Sequence, residues 1–187
     1  MRGFLLGVGW LILCGPWGSP ASAAEPGFRI RLVETHLANQ VYLLNARIEF
    51  RFSRVVLEAL DSGVPVTILL ELQVLRDRDY LWDERIADLK QRYRLAYHAL
   101  SGRYVVQNQN TGVSHTYQTL DDALYALGSI RAFPLIDRQL MKPGGHYYGK
   151  LEARLDIESL PAPLRPLAYL NSKWRLASDV YTWPLQP

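Results

Sequence analysis

The sequence predicts a mainly β protein: an antiparallel β-sandwich, immunoglobulin-like in style, with two or three short helices. Apolar and polar residues alternate with a period of two over most of the chain from Phe28 onward. About seven or eight such segments follow one another at intervals of roughly 10 to 15 residues, without the regular intervening helices of a parallel sheet. The same pattern fits a small antiparallel β-barrel, which stays open as the alternative. We expect one β-rich domain over residues 25–187.

The first three strands show the alternation most clearly. Apolar residues alternate with arginines over residues 28–32. The longest run, residues 42–52, has apolar side chains at every even position and mainly polar ones between them, which predicts a half-buried antiparallel strand. A third run, residues 66–74, follows a Ser62-Gly63 turn and repeats the pattern.

Two short helices interrupt the strands. Ser53 is a suitable N-cap for a helix over residues 54–61. Thr119 and Asp122 form a variant of the capping box, with Asp in place of Glu or Gln, and predict a second helix that stops at Gly128. Because its leucines share one face, this helix is expected to pack on the sheet.

The strands in the middle of the chain are separated by turns. Residues 89–97 alternate again, and Ser101-Gly102 forms a turn into residues 104–106. Asn110-Thr111-Gly112 then predicts a hairpin turn into a strand over residues 113–118.

The C-terminal third continues in the same way. Strands are predicted over residues 130–137 and over an inward-facing row from Tyr147 to Ile157, separated by a turn at Pro143-Gly144-Gly145. A short helix or turn over residues 167–170 then leads to a final strand from Trp174 to Trp183.

Residues 1–24 are typical of a secretory signal peptide. Arg2 precedes an apolar run, helix-breaking glycines and prolines follow it, and small residues close the segment. We expect cleavage after Ala23 or Ala24 and a soluble periplasmic product. The alternative is an inner-membrane anchor formed by residues 4–17, although the apolar run is shorter than the roughly 20 residues of a membrane span. Acylation of Cys14 is disfavoured because bulky Leu13 precedes it.

Composition limits the partners of the exported chain. Only Arg2 of the 21 Lys and Arg residues lies in the signal, which leaves 20 positive against 18 negative residues. This near balance predicts no nucleic-acid binding, and membrane contact is expected only through an uncleaved signal. Because Cys14 is the single cysteine, the exported chain can form no internal disulfide. Oligomeric state stays open.

Residues 76–85 form the densest charged cluster of the chain. Carboxylates are the ligands that calcium prefers, but this segment lacks the glycine of a sharp calcium loop. The interleaved Arg76, Arg78 and Arg85 would also repel a cation. We therefore expect self-paired charges on a solvated strand connection.

The sequence predicts a noncatalytic protein without metal or other cofactor. No pair of histidines has the short spacing of a zinc site, and no Gly-x-Ser-x-Gly motif is present. The least favoured alternative is a hydrolase in which the fold brings His98, His115 or His146 next to a serine or carboxylate.

Aromatic residues indicate a possible interaction surface. Tyrosine and tryptophan are enriched at protein interfaces because a large apolar body carries one polar group. Trp82 lies in the charged segment, and Tyr181 and Trp183 lie close to the C-terminus, where an exposed strand edge could accept a partner strand. These three residues are the candidate interaction surface.

Several segments resemble a family catalogued as domain of unknown function 4390. They are residues 91–100, 119–124, 160–164 and 174–178, and they span most of the chain after the signal. The resemblance implies a proteobacterial exported protein with a periplasmic location, and a gene neighbourhood with a nitrogen-type sensor kinase. It implies no activity and no functional residues.

The leading functional hypothesis is therefore a noncatalytic periplasmic module that binds another envelope protein, with the sensor region of a membrane kinase as the specific candidate. The alternative is a periplasmic carrier of a small apolar or lipid-like ligand, held between the sheets or at a barrel mouth.

Overall fold

The computed structural model describes residues 25–78 and 81–185. The predicted signal segment, with Ala23, Ala24 and Cys14, lies outside these residues. The strands, in chain order, are β1 (Gly27–Ala38), β2 (Val41–Arg51), β3 (Val66–Arg76), β4 (Glu84–His98), β5 (Arg103–Asn108), β6 (Ser114–Tyr117), β7 (Ser129–Asp137), β8 (Tyr147–Leu155) and β9 (Tyr181–Leu185). The α-helices are α1 (Arg54–Asp61), α2 (Leu120–Leu127) and α3 (Arg165–Leu170).

The strands form two antiparallel sheets that share one core. The three-stranded sheet has the order β1-β2-β7, and the six-stranded sheet has the order β6-β5-β4-β3-β8-β9. Their inner faces contribute to a single cluster of buried apolar residues, so the prediction of a sandwich with short helices is confirmed. Among the described residues the sheets do not close, and the alternative of a small barrel is wrong. The resemblance to an immunoglobulin domain lies in the two packed sheets and not in the strand order.

Burial follows the alternation where one face of a strand meets the core. In β2 the even-numbered residues from Tyr42 to Phe50 are buried, and the odd-numbered residues are not. β3 differs because it lies in the interior of the six-stranded sheet, between β4 and β8. Its outward-facing Thr67, Leu69 and Leu75 are buried too. Their register neighbours on the flanking strands include Arg92, Arg94 and Arg154, and arginine stems can cover adjacent apolar surface.

Both predicted helices form with the predicted caps. The Ser53 side chain accepts a hydrogen bond from the Val56 amide at the start of α1. Thr119 does the same for the Asp122 amide at the start of α2, whose buried face consists of Ala123 and Leu127. α2 closes one side of the sandwich, where it contacts β2, β5, β6 and β7.

The opposite side of the sandwich is closed by the segment between α3 and β9. Short 3-10 turns, residues 157–159, 162–164 and 172–174, carry the chain from β8 to this side. The amide of Phe28 donates to the carbonyl of Ala177 at 3.3 Å, which joins β1 to the segment, and an isolated bridge pairs Ala177 with Arg154 of β8.

The predicted final strand is therefore too long. Trp174 belongs to a 3-10 turn, and regular pairing with β8 begins only at Tyr181. The physical reason is that the segment forms hydrogen bonds with two strands of different sheets, which a continuous edge strand could not do. Ile157 likewise lies in a 3-10 turn after β8 and not in the strand. No helix among the described residues is long and apolar enough to span a membrane.

Candidate functional site

Trp82 is the most exposed aromatic residue of the described chain. It lies in the connection between β3 and β4, where 93% of its surface is exposed, next to Leu81 at 68%. A fully solvated tryptophan is unusual, because its large apolar ring is unfavourable in water. Burial of this ring in an interface would therefore be favourable. We refer to Leu81 and Trp82 as the Trp82 tip.

The Trp82 tip is held by its own loop. The Arg78 guanidinium donates to the Trp82 carbonyl oxygen through Nε at 3.1 Å and through Nη2 at 2.9 Å. The Leu81 amide donates to the Arg78 carbonyl at 3.3 Å. The Arg78 guanidinium thus holds the Trp82 carbonyl through a charge-assisted pair of hydrogen bonds, while the Trp82 side chain is exposed.

One ion pair lies at the base of the Trp82 tip, where the sequence predicts self-paired charges. Arg76 forms an ion pair with Glu84 across the base of the hairpin. The Tyr148 hydroxyl donates to the carboxylate of Asp83. This hydrogen bond, together with partial burial and the negative charge of Asp83, raises the pKa of Tyr148 to about 12. Arg76 and Asp83 are therefore engaged within the protein, whereas the side chains of Leu81 and Trp82 are exposed.

The β7–β8 connection lies at the same end of the sandwich as the Trp82 tip. The Asp77 amide donates to the His146 carbonyl at 2.9 Å, which joins the β3–β4 loop to the β7–β8 connection. That connection carries Leu140, which is 60% exposed. The end of the sandwich thus exposes apolar side chains from more than one loop.

The other two candidate residues lie elsewhere. Trp183 of β9 is only 5% exposed, and its ring packs on Gly149 of β8, where any Cβ would overlap the indole. Its Nε1 is buried without a hydrogen-bond partner among the described residues. Tyr181 is half-buried and pairs with Leu151. Trp183 is thus a core residue.

The strand register shows that the Trp82 tip and Tyr181 do not form one continuous surface. Leu151, the partner of Tyr181, lies opposite Leu72, whereas the hairpin that carries the tip begins beyond Arg76. Four strand positions correspond to roughly 13 Å along the sheet, and the tip projects further still. Of the three residues predicted from sequence, only Trp82 is strongly exposed. No sequence pattern indicated its exposed neighbour Leu81.

A cleft lies between α2 and the strands β4, β5 and β6. Its volume is about 310 Å³, and its lining combines apolar side chains, tyrosines and a few polar groups: Tyr93, Val106, Asn108, Thr111, Val113, His115, Tyr117, Ala126 and Leu127. No sequence pattern predicted this cleft. The available signal was the inner row of β4, where Gln91 and Tyr93 replace the aliphatic residues of β3.

The outer face of the three-stranded sheet places several arginines around the carboxylate of Glu49. Glu49 accepts a hydrogen bond from Arg31 at 2.8 Å and lies 3.8 Å from Arg51. The hydrogen bond from Arg31, assisted by the positive charges of Arg31, Arg51 and Arg29, lowers the pKa of Glu49 despite slight desolvation. This arrangement is an exposed ion-pair network on a solvated sheet face.

The histidines are distributed over the molecule. His98 ends β4, His115 lies on β6, and His146 precedes β8 at the end of the sandwich that carries the Trp82 tip. Within residues 25–78 and 81–185, no three His, Cys, Asp or Glu side chains are placed to hold a metal ion.

The structure thus defines a two-sheet antiparallel β protein with an apolar loop tip and a side cleft. The profile of the family described as Domain of unknown function (DUF4390) matches residues 25–184, and the chain belongs to this family. The chain matches no curated protein and no solved structure.

Proposed function

We propose that the protein is a noncatalytic binding module of the bacterial envelope that contacts a partner protein through the Trp82 tip. The single observation that supports this most directly is the combination of a fully exposed indole with a backbone held by Arg78. Tryptophan is among the residues most enriched in binding hot spots, and a contact residue whose backbone carbonyl is already held loses less entropy when it docks.

The proposed partner is a protein and not an anionic membrane surface. The described charged residues near the tip are of both signs in equal number: Arg76, Arg78 and Arg85 are interspersed with Asp77, Asp83 and Glu84. Such a surface lacks the basic excess that draws a protein to anionic lipid. The predicted periplasmic location is part of this proposal, and the sensor region of a membrane kinase is the partner to test first.

The exposed residues of α3 are a weaker candidate surface. Leu167 and Leu170 are 61% and 84% exposed. Leucine is under-represented among hot spots, however, whereas tryptophan is enriched. We therefore assign the contact to the tip.

The test is photocrosslinking in cells with a probe placed at Leu81 and, separately, at Leu100. Leu100 is a matched control: it is fully exposed and lies in the hairpin turn at the other end of β4, roughly 45 Å away along the strand. We expect a recurrent envelope-protein adduct from position 81 only.

Binding of the partner protein identified by the adduct is then measured with purified proteins. Trp82→Ala should weaken binding of that partner by about thirtyfold, the loss typical of a hot spot, and Leu100→Ala should not change it. Equal adducts at both positions, or equal affinities of the two variants, would contradict the proposal.

A further inference from the structure

We infer that the cleft between α2 and the β4–β5–β6 strands is a binding site for a small, uncharged, largely aromatic molecule with one hydrogen-bond acceptor. The cleft is formed by other elements than the Trp82 tip, and the inference does not depend on the proposed function.

The cleft exists because the two sheets have unequal numbers of strands. One cross-strand row of the inner face runs through Val66, Leu95, Val106 and His115. Val66 and Leu95 are fully buried, Val106 is 6% exposed, and His115 is exposed. Coverage by the three-stranded sheet therefore ends between β5 and β6.

α2 covers only part of the remaining inner face. The helix has eight residues and is about 12 Å long, whereas β4 has fifteen residues and spans roughly 50 Å. The stretch of β5 and β6 beside the C-terminal end of α2 is left open as the cleft.

The size and lining of the cleft select the class of ligand. An engineered apolar cavity of about 150 Å³ binds benzene, so a volume of about 310 Å³ has room for a molecule of two fused rings. Val106, Val113 and Leu127 supply aliphatic walls. None of the described lining residues is Asp, Glu, Lys or Arg, and a charged ligand would therefore lose hydration without gaining a counter-charge.

The polar part of the cleft requires an acceptor on the ligand. The side-chain oxygen of Asn108 already accepts the amides of Asn110 at 2.8 Å and Thr111 at 3.1 Å. The side-chain nitrogen of Asn108 donates to the side-chain oxygen of Gln91 at 3.4 Å, so both polar ends of this side chain are engaged within the protein. Tyr93 lies opposite Asn108 in the β4–β5 register and lines the same cleft. Burial raises the pKa of its hydroxyl, so the phenol is protonated and can donate to a ligand oxygen.

The test uses 2-naphthol as the probe and 2-naphthoate as its charged counterpart, with the protein produced from its full sequence. NMR titration should show saturable shifts from 2-naphthol that are concentrated on Val106, Ala126 and Leu127. The naphthoate should bind at least about tenfold more weakly, because its charge is uncompensated in the cleft.

Two variants and one matched control locate the site. Ala126→Phe fills the cleft and should weaken 2-naphthol binding by about tenfold or more, whereas Ala99→Phe makes the same change at an exposed turn residue and should not. Tyr93→Phe removes the donor and should weaken binding about fivefold, the loss of one ordinary hydrogen bond.

Three results would overturn the inference: no saturable binding of 2-naphthol, shifts centred outside the cleft, or equal affinities of Ala126→Phe and Ala99→Phe. If Ala126→Phe does not fold by circular dichroism, unchanged affinity of Tyr93→Phe overturns it instead. Trp82→Ala should leave 2-naphthol binding unchanged, so this test and that of the Trp82 tip can fail separately.

Discussion

The two halves of the six-stranded sheet differ in what covers their inner faces. In the half formed by β3, β8 and β9, the inner rows are mainly aliphatic, with Tyr147, Tyr181 and Trp183 as the aromatic members, and they pack into the common core. In the half formed by β4, β5 and β6, the inner row turns polar and aromatic and is only partly covered, by α2. The β3–β8–β9 half of the sheet thus contributes mainly to stability, whereas the β4–β5–β6 half is partly open to solvent and ligands.

The largest expected effect is in the covered half. Trp183→Ala removes a buried indole that packs on Gly149, and it should lower the free energy of unfolding by about 3–5 kcal/mol. Thr182→Ala, at the exposed neighbouring position of the same strand, is the control and should change it by less than about 0.5 kcal/mol. The free energy of unfolding is measured by urea denaturation. Similar losses in the two variants would contradict the conclusion that the covered inner face of this half stabilises the fold.

The next effect tests how α2 is fixed over the open half. The Ile48 amide donates to the Gly128 carbonyl at 2.8 Å, and a Cβ at residue 128 would overlap the Ile48 carbonyl oxygen. Gly128→Ala should therefore displace the end of α2 and reduce the free energy of unfolding by about 1–3 kcal/mol. Gln118→Ala, an exposed substitution just before the helix, is the control. An unchanged melting temperature of Gly128→Ala would be evidence against close packing of the end of α2 on Ile48.

A pH effect tests the charged link between the two halves. On the outer face, Glu71 of β3 lies 2.9 Å from Lys90 of β4 and 3.3 Å from Arg154 of β8. Partial burial acts to raise the pKa of Glu71, but the hydrogen bond from Lys90 and the charge of Arg154 outweigh it and lower the pKa.

Because the folded pKa lies below the unfolded value, this contribution to stability is present above about pH 4.3 and is lost as the pH falls further. Glu71→Gln should therefore lose stability at pH 7 and show a shallower decline below about pH 4.3. Denaturation curves at pH 7, 4 and 3 measure this. Parallel pH profiles for the variant and the wild type would exclude the link.

The smallest stability effect is expected at the Trp82 tip. Trp82 makes no buried contact that its removal would expose, so Trp82→Ala should change the free energy of unfolding by less than about 0.5 kcal/mol. Thermal denaturation checks this value. A loss close to that of Trp183→Ala would mean that the exposed indole stabilises the fold, and the tip would no longer be available as a contact.

Local features explain which parts of the fold could be predicted. Ser53 and Thr119 determine the starts of two helices through hydrogen bonds to amides three residues away, and such bonds depend on neighbouring residues alone. The alternation in β2 predicted its buried face for a similar reason, because every second side chain of a strand points to the same side.

The sites were less predictable because they depend on distant partners. Trp183 is buried because β9 pairs with β8 at Gly149, a register that no local pattern specifies. The exposure of Trp82 likewise follows from its place in the connection between β3 and β4.

The sequence by itself determined the mainly β antiparallel class, the helix caps and the face of most strands, because periodicity and capping act within a few residues. Only the tertiary structure decided that six strands face three, that α2 covers part of the surplus and that a cleft remains beside it. These features depend on strand pairing between residues far apart in the chain, and local alternation is compatible with many such pairings.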